Sequence, residues 1–462
     1  MSHGNLKAAL ALAMGLVGGC SLIPAYERPA APVASEWKTP PAEAGGVLPW
    51  GTFFHDPQLK ALIGDALHNN RDLRVSLLNI EKARAQYRIS RADLLPSIDA
   101  TVSGSSQRTP ADLSADGRSG TGHRYDAGVG FASYELDFFG RVRSLNEQAL
   151  EAYLQTVEAQ RSTQIALVAE VANAYYQLQA DMQLLVLSKQ TLDSQQQSYL
   201  TTRSSYQEDV ATELDLSQAE STVRSAQASE AKYQRLVEQD RNALVLLVGK
   251  PLSAEQLAAA ALATMALDAA LPAGLPSQVL TQRPDILAAE HALKAANANV
   301  GAARAAFFPS ISLTASAGSA SRQLGDLFAG GQGAWSFVPS INVPIFNWGR
   351  NQANLDVAKV QTSIEVANYQ KAIQVAFQEV SDGLAARREL ERQVTAQALL
   401  VKANSRSHAL AEQRYETGVD TYLNSLDAQR NLFASQQELV STQLARSQNL
   451  IALYKALGGG SQ

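Results

Sequence analysis

The chain contains very little cysteine or histidine, the residues on which most metal and redox chemistry depends. Its 462 residues include one cysteine, Cys20, which excludes an internal disulfide. The six histidines lie far apart, at positions 3, 55, 68, 123, 291 and 408, and none belongs to a cluster with metal-ligand spacing. The sequence also lacks a phosphate-binding loop and a nucleophile elbow. It therefore predicts no metal site, no catalytic residues and no enzymatic activity.

Strong net charge and long hydrophobic runs are also missing. The formal net charge is -5, whereas a nucleic-acid-binding surface needs clustered basic residues. We therefore expect no nucleic-acid partner. No segment reaches the roughly 18 consecutive apolar residues that are typical of a membrane helix. If the chain crosses a membrane, it must do so with strands.

Two long stretches are almost free of the residues that interrupt helices. Residues 142–248 contain neither proline nor glycine, and residues 351–457 contain no proline and only Gly383 and Gly418. Because both residues are strong helix breakers, these stretches predict very long helices. Each stretch is expected to fold back once, near Tyr206–Leu214 and near Tyr415–Leu423, where Gly418 could cap a helix.

The N-terminus reads as a secretion signal. Lys7 precedes a short apolar run, which ends at Val17-Gly18-Gly19-Cys20. This order resembles a bacterial lipoprotein signal, which implies cleavage after residue 19 and acylation of Cys20, with Ser21 favouring the outer membrane. No cofactor is expected beyond this covalent lipid. The alternative is an ordinary signal peptide with an incidental cysteine.

An internal repeat organises the rest of the chain. Residues 91–98 resemble residues 304–311 at an offset of 213, and later positions such as Tyr206 and Tyr415 match at an offset of 209. Each copy consists of a helical stretch ending in proline, two strand-like segments and a long helical stretch. The predicted organisation is a signal peptide 1–19, an N-terminal lipid-anchored and equatorial segment 20–71, a first repeat 72–249, a linker 250–284, a second repeat 285–458 and a tail 459–462.

The strand-like segments alternate between apolar and polar residues. Two of the four segments follow Pro96 and Pro309, and the other two are Tyr125–Phe131 and Trp335–Ile345, with polar loops at 109–123 and 325–333. Alternation over about ten residues is typical of outer-membrane strands. Four strands cannot close a barrel, and an open edge is not tolerated in lipid, so several chains must share one barrel. Three chains would give twelve strands. A soluble sandwich or a coiled-coil scaffold would explain only part of this pattern.

Several motifs together resemble the TolC/OprM-type outer-membrane factors, in particular the lipoprotein branch that serves RND efflux pumps. The resemblance covers essentially the whole mature chain. The motifs are Cys20–Pro29, Ser133–Arg141, Gly274–Ser277, Arg283–Ile286, Tyr415–Val419 and Leu426–Arg430.

The resemblance implies an α+β membrane protein that is a homotrimer. Its shared twelve-stranded outer-membrane β-barrel would continue into a long periplasmic α-helical barrel, with a mixed α/β equatorial belt. The implied partners are outer-membrane lipid, a periplasmic adaptor (membrane fusion protein) and an inner-membrane RND transporter. The implied function is an exit duct for small molecules such as drugs or metal ions, and a type I protein secretion duct is the alternative.

The same resemblance places a gate at the inner, periplasmic tip. Leu423 and Asp427 match the positions that constrict the family's pore, and spacings of three and four residues put Leu423, Asp427 and Arg430 near one helix face. The resemblance also pairs Tyr415 with Asp215 as a latch between neighbouring helices. Asp420 stands where TolC carries an arginine, which leaves a second latch of that family in doubt.

Overall fold

The computed structural model describes residues 21–34, 49–115, 117–257 and 283–459. The predicted signal peptide, Cys20, the motif Gly274–Ser277 and much of the predicted linker lie outside the described residues. The same order of elements occurs twice: one helix, two strands and two long helices. In chain order the elements are α1 (Trp50–Phe53), α2 (Pro57–Asn69), α3 (Arg71–Ala92), β1 (Asp99–Thr109), β2 (Gly120–Leu136), α4 (Arg141–Gln207), α5 (Glu213–Val248), α6 (Pro284–Ala305), β3 (Ser310–Ser321), β4 (Gly333–Asn342), α7 (Arg350–Glu416) and α8 (Tyr422–Ala456).

The long helices confirm what the missing prolines and glycines predicted. Both α4 and α7 contain 67 residues. Each begins directly after a glycine with positive φ, Gly140 (φ 76°) or Gly349 (φ 81°), a conformation that glycine adopts without strain. Both stretches turn back where the sequence predicted. None of the helices in the described part of the chain is long and apolar enough to cross a membrane.

The strands form one antiparallel sheet with the order β1-β2-β3-β4. Val129 lies opposite Ala100 and Ala317, and Ala317 lies opposite Trp335, so that these apolar side chains share one face. A β-bulge between Phe131 and Tyr134 adds one residue to β2. The extra residue changes which positions of β2 share a face: Phe131 before the bulge and Tyr134 and Leu136 after it lie opposite Ala315, Leu313 and Ile311, which share one face of β3.

Two strand boundaries differ from the sequence prediction. Strand β2 begins at Gly120, so that residues 120–123, predicted to lie in a polar loop, pair with the end of β1. These residues lack apolar alternation, which is why the pattern did not reveal them. Strand β4 ends at Asn342, before Val343 and Ile345. Pro344 has no N–H to donate, and the ladder does not extend past it.

The described residues form two compact units. One comprises the described parts of Met1–Ala30, Asn79–Val157 and Ala288–Tyr369. It contains the sheet and an N-terminal strap, residues 22–28, which lies along α6. The other comprises the described parts of Ala31–Leu78, Glu158–Leu287 and Gln370–Gln462. It contains both turns between long helices.

The core of the second unit lies where short helices pack on long ones. Phe53 and Tyr454 are fully buried and stack with ring centroids 4.0 Å apart. Asp56 caps α2 through the backbone N–H groups of Gln58 and Leu59, and it also accepts a hydrogen bond from the Tyr175 hydroxyl at 2.8 Å. A capped and buried short helix therefore holds α4 in place in this unit.

The motif Arg283–Ile286 has a structural role in this unit. The Arg283 side chain is only 8% exposed, and its guanidinium forms ion pairs with Asp285 at 2.7 Å and Glu379 at 2.8 Å. It also donates to the carbonyl oxygen of Ala456 at 2.8 Å. A buried guanidinium requires such partners. The motif therefore joins the start of α6 to α7 and to the end of α8.

Candidate functional sites

The predicted gate residues lie in the first turns of α8. Asp427 and Arg430 form an ion pair at 3.7 Å, and their side chains are 58% and 56% exposed. Leu423 is 48% exposed. An exposed pair of this kind adds little stability. Because all three side chains are about half exposed, they can contact solvent or another chain.

The two predicted latch residues have other partners in the structure. The Tyr415 ring packs beside Tyr422, with centroids 5.5 Å apart, in a cluster with Ala219 and Leu426. Asp215 forms a capping box with Thr212 at the start of α5. The hydrogen bonds from the Thr212 side chain and backbone lower the pKa of Asp215. The pairing of Tyr415 with Asp215 stays a prediction.

Asp420, which departs from the TolC pattern, has a local role. Its carboxylate accepts hydrogen bonds from the Asn424 side chain, from Arg414 at 3.1 Å and from the Thr421 backbone. Asn424 first and then Arg414 lower the pKa of Asp420. The carboxylate thus ties the end of α7 to the start of α8. No sequence pattern marked Arg414 as a partner of Asp420.

A hydrogen-bond network near the tip was also missed. Gln195 Nε2 donates to Gln429 Oε1 at 2.6 Å, and Gln429 Nε2 donates to Ser194 Oγ at 3.0 Å. Thr222 Oγ1 lies 2.7 Å from Gln195 Oε1. Gln195 and Thr222 are 5% and 7% exposed. Glutamine is common throughout these helices, so composition gave no signal that two of them would meet.

The N-terminal strap is fastened to α6 in the first unit. Glu290 has a 4% exposed side chain and pairs with Arg28 at 2.5 Å. Burial opposes its ionisation, but the Arg28 hydrogen bond and the charges of Lys294 and Arg28 outweigh burial and lower the pKa of Glu290. Arg304 donates to the carbonyl oxygen of Leu22 at 3.2 Å. The first residue of the strap is therefore held at the C-terminal end of α6, six residues before β3 begins.

The apolar face of the sheet is exposed to an unusual degree. Trp335 is 80% and Val102 78% exposed. A contiguous apolar surface of this kind indicates contact with lipid or with another protein. The other large apolar side chains of the sheet and its ends that are more than half exposed are Ile98, Val129, Phe337, Val338, Ile341, Val343, Ile345, Phe346 and Trp348.

Comparison with known families accounts for these features. The model of the outer membrane efflux protein family matches residues 62–250 and 275–459. The chain belongs to this family. It is an outer-membrane efflux protein, which confirms the family, the general function and the outer-membrane location that the sequence predicted. The family consists of transport proteins.

Individual relatives cover nearly the full length of this efflux protein. A toluene efflux pump outer membrane protein of Pseudomonas putida, TtgC, is 55% identical over 460 residues, which is 98% of this chain and 95% of that protein. The antibiotic efflux pump outer membrane protein ArpC of Pseudomonas putida has the same identity and coverage.

A solved structure shows the same fold. The open state of the Neisseria gonorrhoeae MtrE outer membrane channel matches with a TM-score of 0.87 and 41% identity, over 96% of this chain and 99% of that chain. The family model and the relatives agree on an outer-membrane efflux protein, and the solved structure of an outer membrane channel has the same α+β fold.

Proposed function

We propose that this protein is the exit duct of a tripartite efflux pump. Copies of the chain share one β-barrel in the outer membrane, and their long helices form a tube in the periplasm. The exposed apolar face of the four-stranded sheet carries the proposal, because that face needs a lipid environment. Aromatic side chains such as Trp335 and Trp348 are of the type that is enriched at membrane interfaces.

Three copies satisfy the sheet's edges. In the described sheet, β1 and β4 each pair on one side only. Unpaired backbone N–H and C=O groups at a strand edge find no hydrogen-bond partners in lipid. In the proposed barrel, β4 of one copy therefore pairs with β1 of the next. Three copies of four strands close a barrel of twelve. The same order of elements occurs twice in the chain, which supports two related repeats. Three copies with two repeats each would give the assembly pseudo-sixfold symmetry.

The mature N-terminus anchors the protein in the same membrane. Cys20 lies outside the described residues and precedes Leu22 by two positions in the sequence. Arg304, six residues before the start of β3, donates a hydrogen bond to the carbonyl oxygen of Leu22. Acyl chains on Cys20 would then enter the bilayer beside the sheet. Each buried CH₂ contributes about 0.8 kcal/mol to membrane binding.

The anchor is tested by mass spectrometry of the purified full chain. We expect cleavage after residue 19 and acylation of Cys20, both abolished in Cys20→Ser. The sheet would still hold the variant in the membrane. An unmodified Cys20 in the wild-type protein would contradict the lipid anchor but would not bear on the proposal that the protein is an exit duct.

The duct is gated at its inner tip. Around a threefold axis, Leu423 becomes an apolar ring and Asp427 an acidic ring with Arg430 beside it. A ring of carboxylates favours cations. The exposure of all three side chains supports this placement. A periplasmic adaptor docks on the tip, and an inner-membrane RND transporter supplies the substrate.

We propose small organic molecules as the substrates, since TtgC is named as part of a toluene efflux pump and ArpC as part of an antibiotic efflux pump. No observation on this chain favours a protein cargo. We expect deletion of the gene to raise sensitivity to toluene and to hydrophobic antibiotics, and the wild-type gene to restore resistance. Deletion cells with unchanged sensitivity, in a host with no second duct, would contradict the proposal.

A further inference from the structure

The two repeats of the chain meet in the first unit along a contact surface called here the within-chain seam. In this seam the second half of the first repeat contacts the first half of the second repeat. Phe139, just after β2, and Phe308, just before β3, stack with ring centroids 4.7 Å apart. On the adjoining helices, His291 of α6 lies 2.5 Å from Glu151 of α4. The pairing of β2 with β3 continues the seam through the sheet.

The surfaces that form this seam occur a second time in the chain. Helices α3 and α6 begin and end at positions that differ by 213, and α4 and α7 begin and end at positions that differ by 209. The counterpart of Phe308 is therefore Leu95, and the counterpart of Phe139 is Trp348. These two side chains are 72% and 89% exposed. The second pair of surfaces is thus open where the first pair is packed.

The sheet keeps the two open surfaces apart within one chain. Leu95 lies just before β1, and Trp348 lies just after β4. Strands β1 and β4 are the opposite edges of the described sheet, and three strand spacings of about 4.8 Å separate them by roughly 14 Å. In the proposed barrel, β4 of one copy lies beside β1 of the next. The surface that matches each open surface therefore belongs to another copy.

The within-chain seam also contains the N-terminal strap. The strap lines a cavity of about 470 Å³ together with residues of α4 and α6. Asn297 Nδ2 donates to the carbonyl oxygen of Pro24 at 2.8 Å. A Cβ at position 301 would lie 2.6 Å from Ile23 Cγ1, so that Gly301 permits the close approach of the strap. Small side chains on α6 therefore make room for the strap.

Arginines stand at the matching places on α3. Arg84 and Arg88 are the counterparts of those two small residues, and both are exposed. Neither is paired with a carboxylate in the described part of the chain. Glu147, which lines the same cavity from α4, has the exposed Asp356 of α7 as its counterpart. Each chain has one strap, and α6 binds it. Long cationic side chains can therefore fill the corresponding space beside α3 and reach a carboxylate.

Apolar side chains distinguish α7 from α4 in the same region. Val357 and Val360 are 69% and 58% exposed. Val360 is the counterpart of Glu151, which is the partner of His291 in the within-chain seam. An α7 helix in the place of α4 would leave that histidine without its carboxylate. The two seams are therefore not interchangeable, and this difference disfavours the wrong pairing of helices during assembly.

We infer that α3 of one copy docks on α7 of the next copy and forms a between-copy seam without a strap. In this seam Leu95 packs on Trp348, and Arg84 pairs with Asp356. The inference rests on the proposed sharing of one barrel. It extends the contact between copies from the strand edges to the helices, and it assigns a partner to side chains that the single chain leaves exposed.

Cross-linking between two differently tagged full-length chains tests the apolar contact. Both chains carry Cys20→Ser, one also carries Leu95→Cys, and the other also carries Trp348→Cys. After coexpression and treatment of membranes with a short bis-maleimide, we expect a covalent product that contains both tags. The matched control replaces Leu95→Cys by Leu113→Cys, at a side chain that is 76% exposed beyond the other end of β1. The control pair should give no mixed product.

An exchange of charges tests the polar contact and does not depend on cysteine variants. Asp356→Arg places like charges opposite each other and should shorten the half-life of the trimer in SDS several-fold. Addition of Arg84→Asp restores opposite charges and should return the half-life toward that of the wild type. Asp112→Arg makes the same change of charge between β1 and β2 and should leave the half-life unchanged.

The outcomes separate the seam from the duct. A wild-type protein that is monomeric in native mass spectrometry would overturn the proposed function and the between-copy seam together. A wild-type trimer in which the Leu95 pair gives no more mixed product than the Leu113 pair would overturn the seam alone. An exchange of charges that does not restore the half-life would overturn the pairing of Arg84 with Asp356.

Discussion

At the scale of single residues, the carboxylates of this chain differ in role because their surroundings differ. Asp215 accepts backbone and side-chain bonds at a helix start, and Glu290 is held by Arg28 and Lys294. Both have lowered pKa values. Asp240 on α5 has the opposite shift: burial first, and then a hydrogen bond with Asp181 and its charge, raise the pKa of Asp240 to about 7.

The raised pKa of Asp240 predicts a stability that falls as the pH rises. The folded protein holds this proton up to about pH 7, whereas an unfolded aspartate releases it near pH 4. Stability from this group is therefore fully present below about pH 4 and is lost on the way to pH 7. We expect Asp240→Asn to stabilise the protein more at pH 8 than at pH 5, because the substitution removes a carboxyl group whose proton the folded protein holds to a higher pH than the unfolded chain does. Thermal unfolding at both pH values measures this. Equal effects at pH 5 and pH 8 would show that Asp240 does not titrate in this range.

Asp427 should determine ion preference if it forms a ring. We expect Asp427→Ala to lower the cation selectivity of the channel, because three carboxylates at one constriction attract cations and repel anions. Reversal potentials in a KCl gradient measure the change. Asp420→Ala is a control at the same tip whose carboxylate is engaged with Arg414 and Asn424. A reversal potential identical to that of the wild type in Asp427→Ala would place the selective ring elsewhere.

At the scale of elements, the turn between α4 and α5 and the turn between α7 and α8 have the same backbone hydrogen-bond pattern but different residues at the left-handed position. Val210 N donates to Ser205 O, and Val419 N donates to Arg414 O, both at 2.9 Å, which is a Schellman pattern. The left-handed residue between them is Asp209 (φ 58°) in one turn and Gly418 (φ 70°) in the other. A side chain with a Cβ is strained in this conformation.

This difference predicts opposite effects of two substitutions. Asp209→Gly should stabilise the first turn, and Gly418→Ala should destabilise the second, each by about 1 kcal/mol. Denaturant or thermal unfolding of the purified protein measures both. Changes of the same sign in the two variants would be inconsistent with these backbone conformations.

Two substitutions distinguish the predicted latch role of Asp215 from its role in the cap of α5. Asp215→Ala removes the capping box and should destabilise the start of α5 by about 1 kcal/mol, with or without a latch. Tyr415→Phe leaves that cap intact. If Tyr415 bonds to Asp215 in the assembled protein, Tyr415→Phe should raise the conductance, and its combination with Asp215→Ala should raise it no further than Asp215→Ala does alone. Tyr415→Phe channels that conduct like the wild type would exclude the latch.

The sequence predicted the helices and strands better than it predicted side-chain contacts between distant parts of the chain. Missing prolines and glycines located the long helices, and Gly418 marked one of the two turns, because helix formation and interruption are local properties. Gly120–His123 escaped notice since a strand with polar faces has no apolar period. Gln195 and Gln429 escaped for another reason: they are 234 positions apart, and only packing of α8 on α4 brings them together. The same holds for Arg28 and Glu290, which are 262 positions apart.

At the scale of the whole molecule, the described chain is incomplete as a membrane protein. The sheet has two unpaired edges and an exposed apolar face. Neither is stable alone in lipid or in water. Sharing of one barrel by several copies resolves both problems, and family membership is consistent with it. The proposal assigns three copies of the chain to this barrel.

Electron cryomicroscopy of the full-length protein in lipid nanodiscs tests this most directly. We expect three copies, with β4 of each copy paired to β1 of the next, and twelve strands closed within the disc. The apolar face that carries Trp335 and Val102 should contact lipid. A monomer whose sheet lies outside the lipid, or a closed barrel with a number of strands other than twelve, would contradict the shared duct.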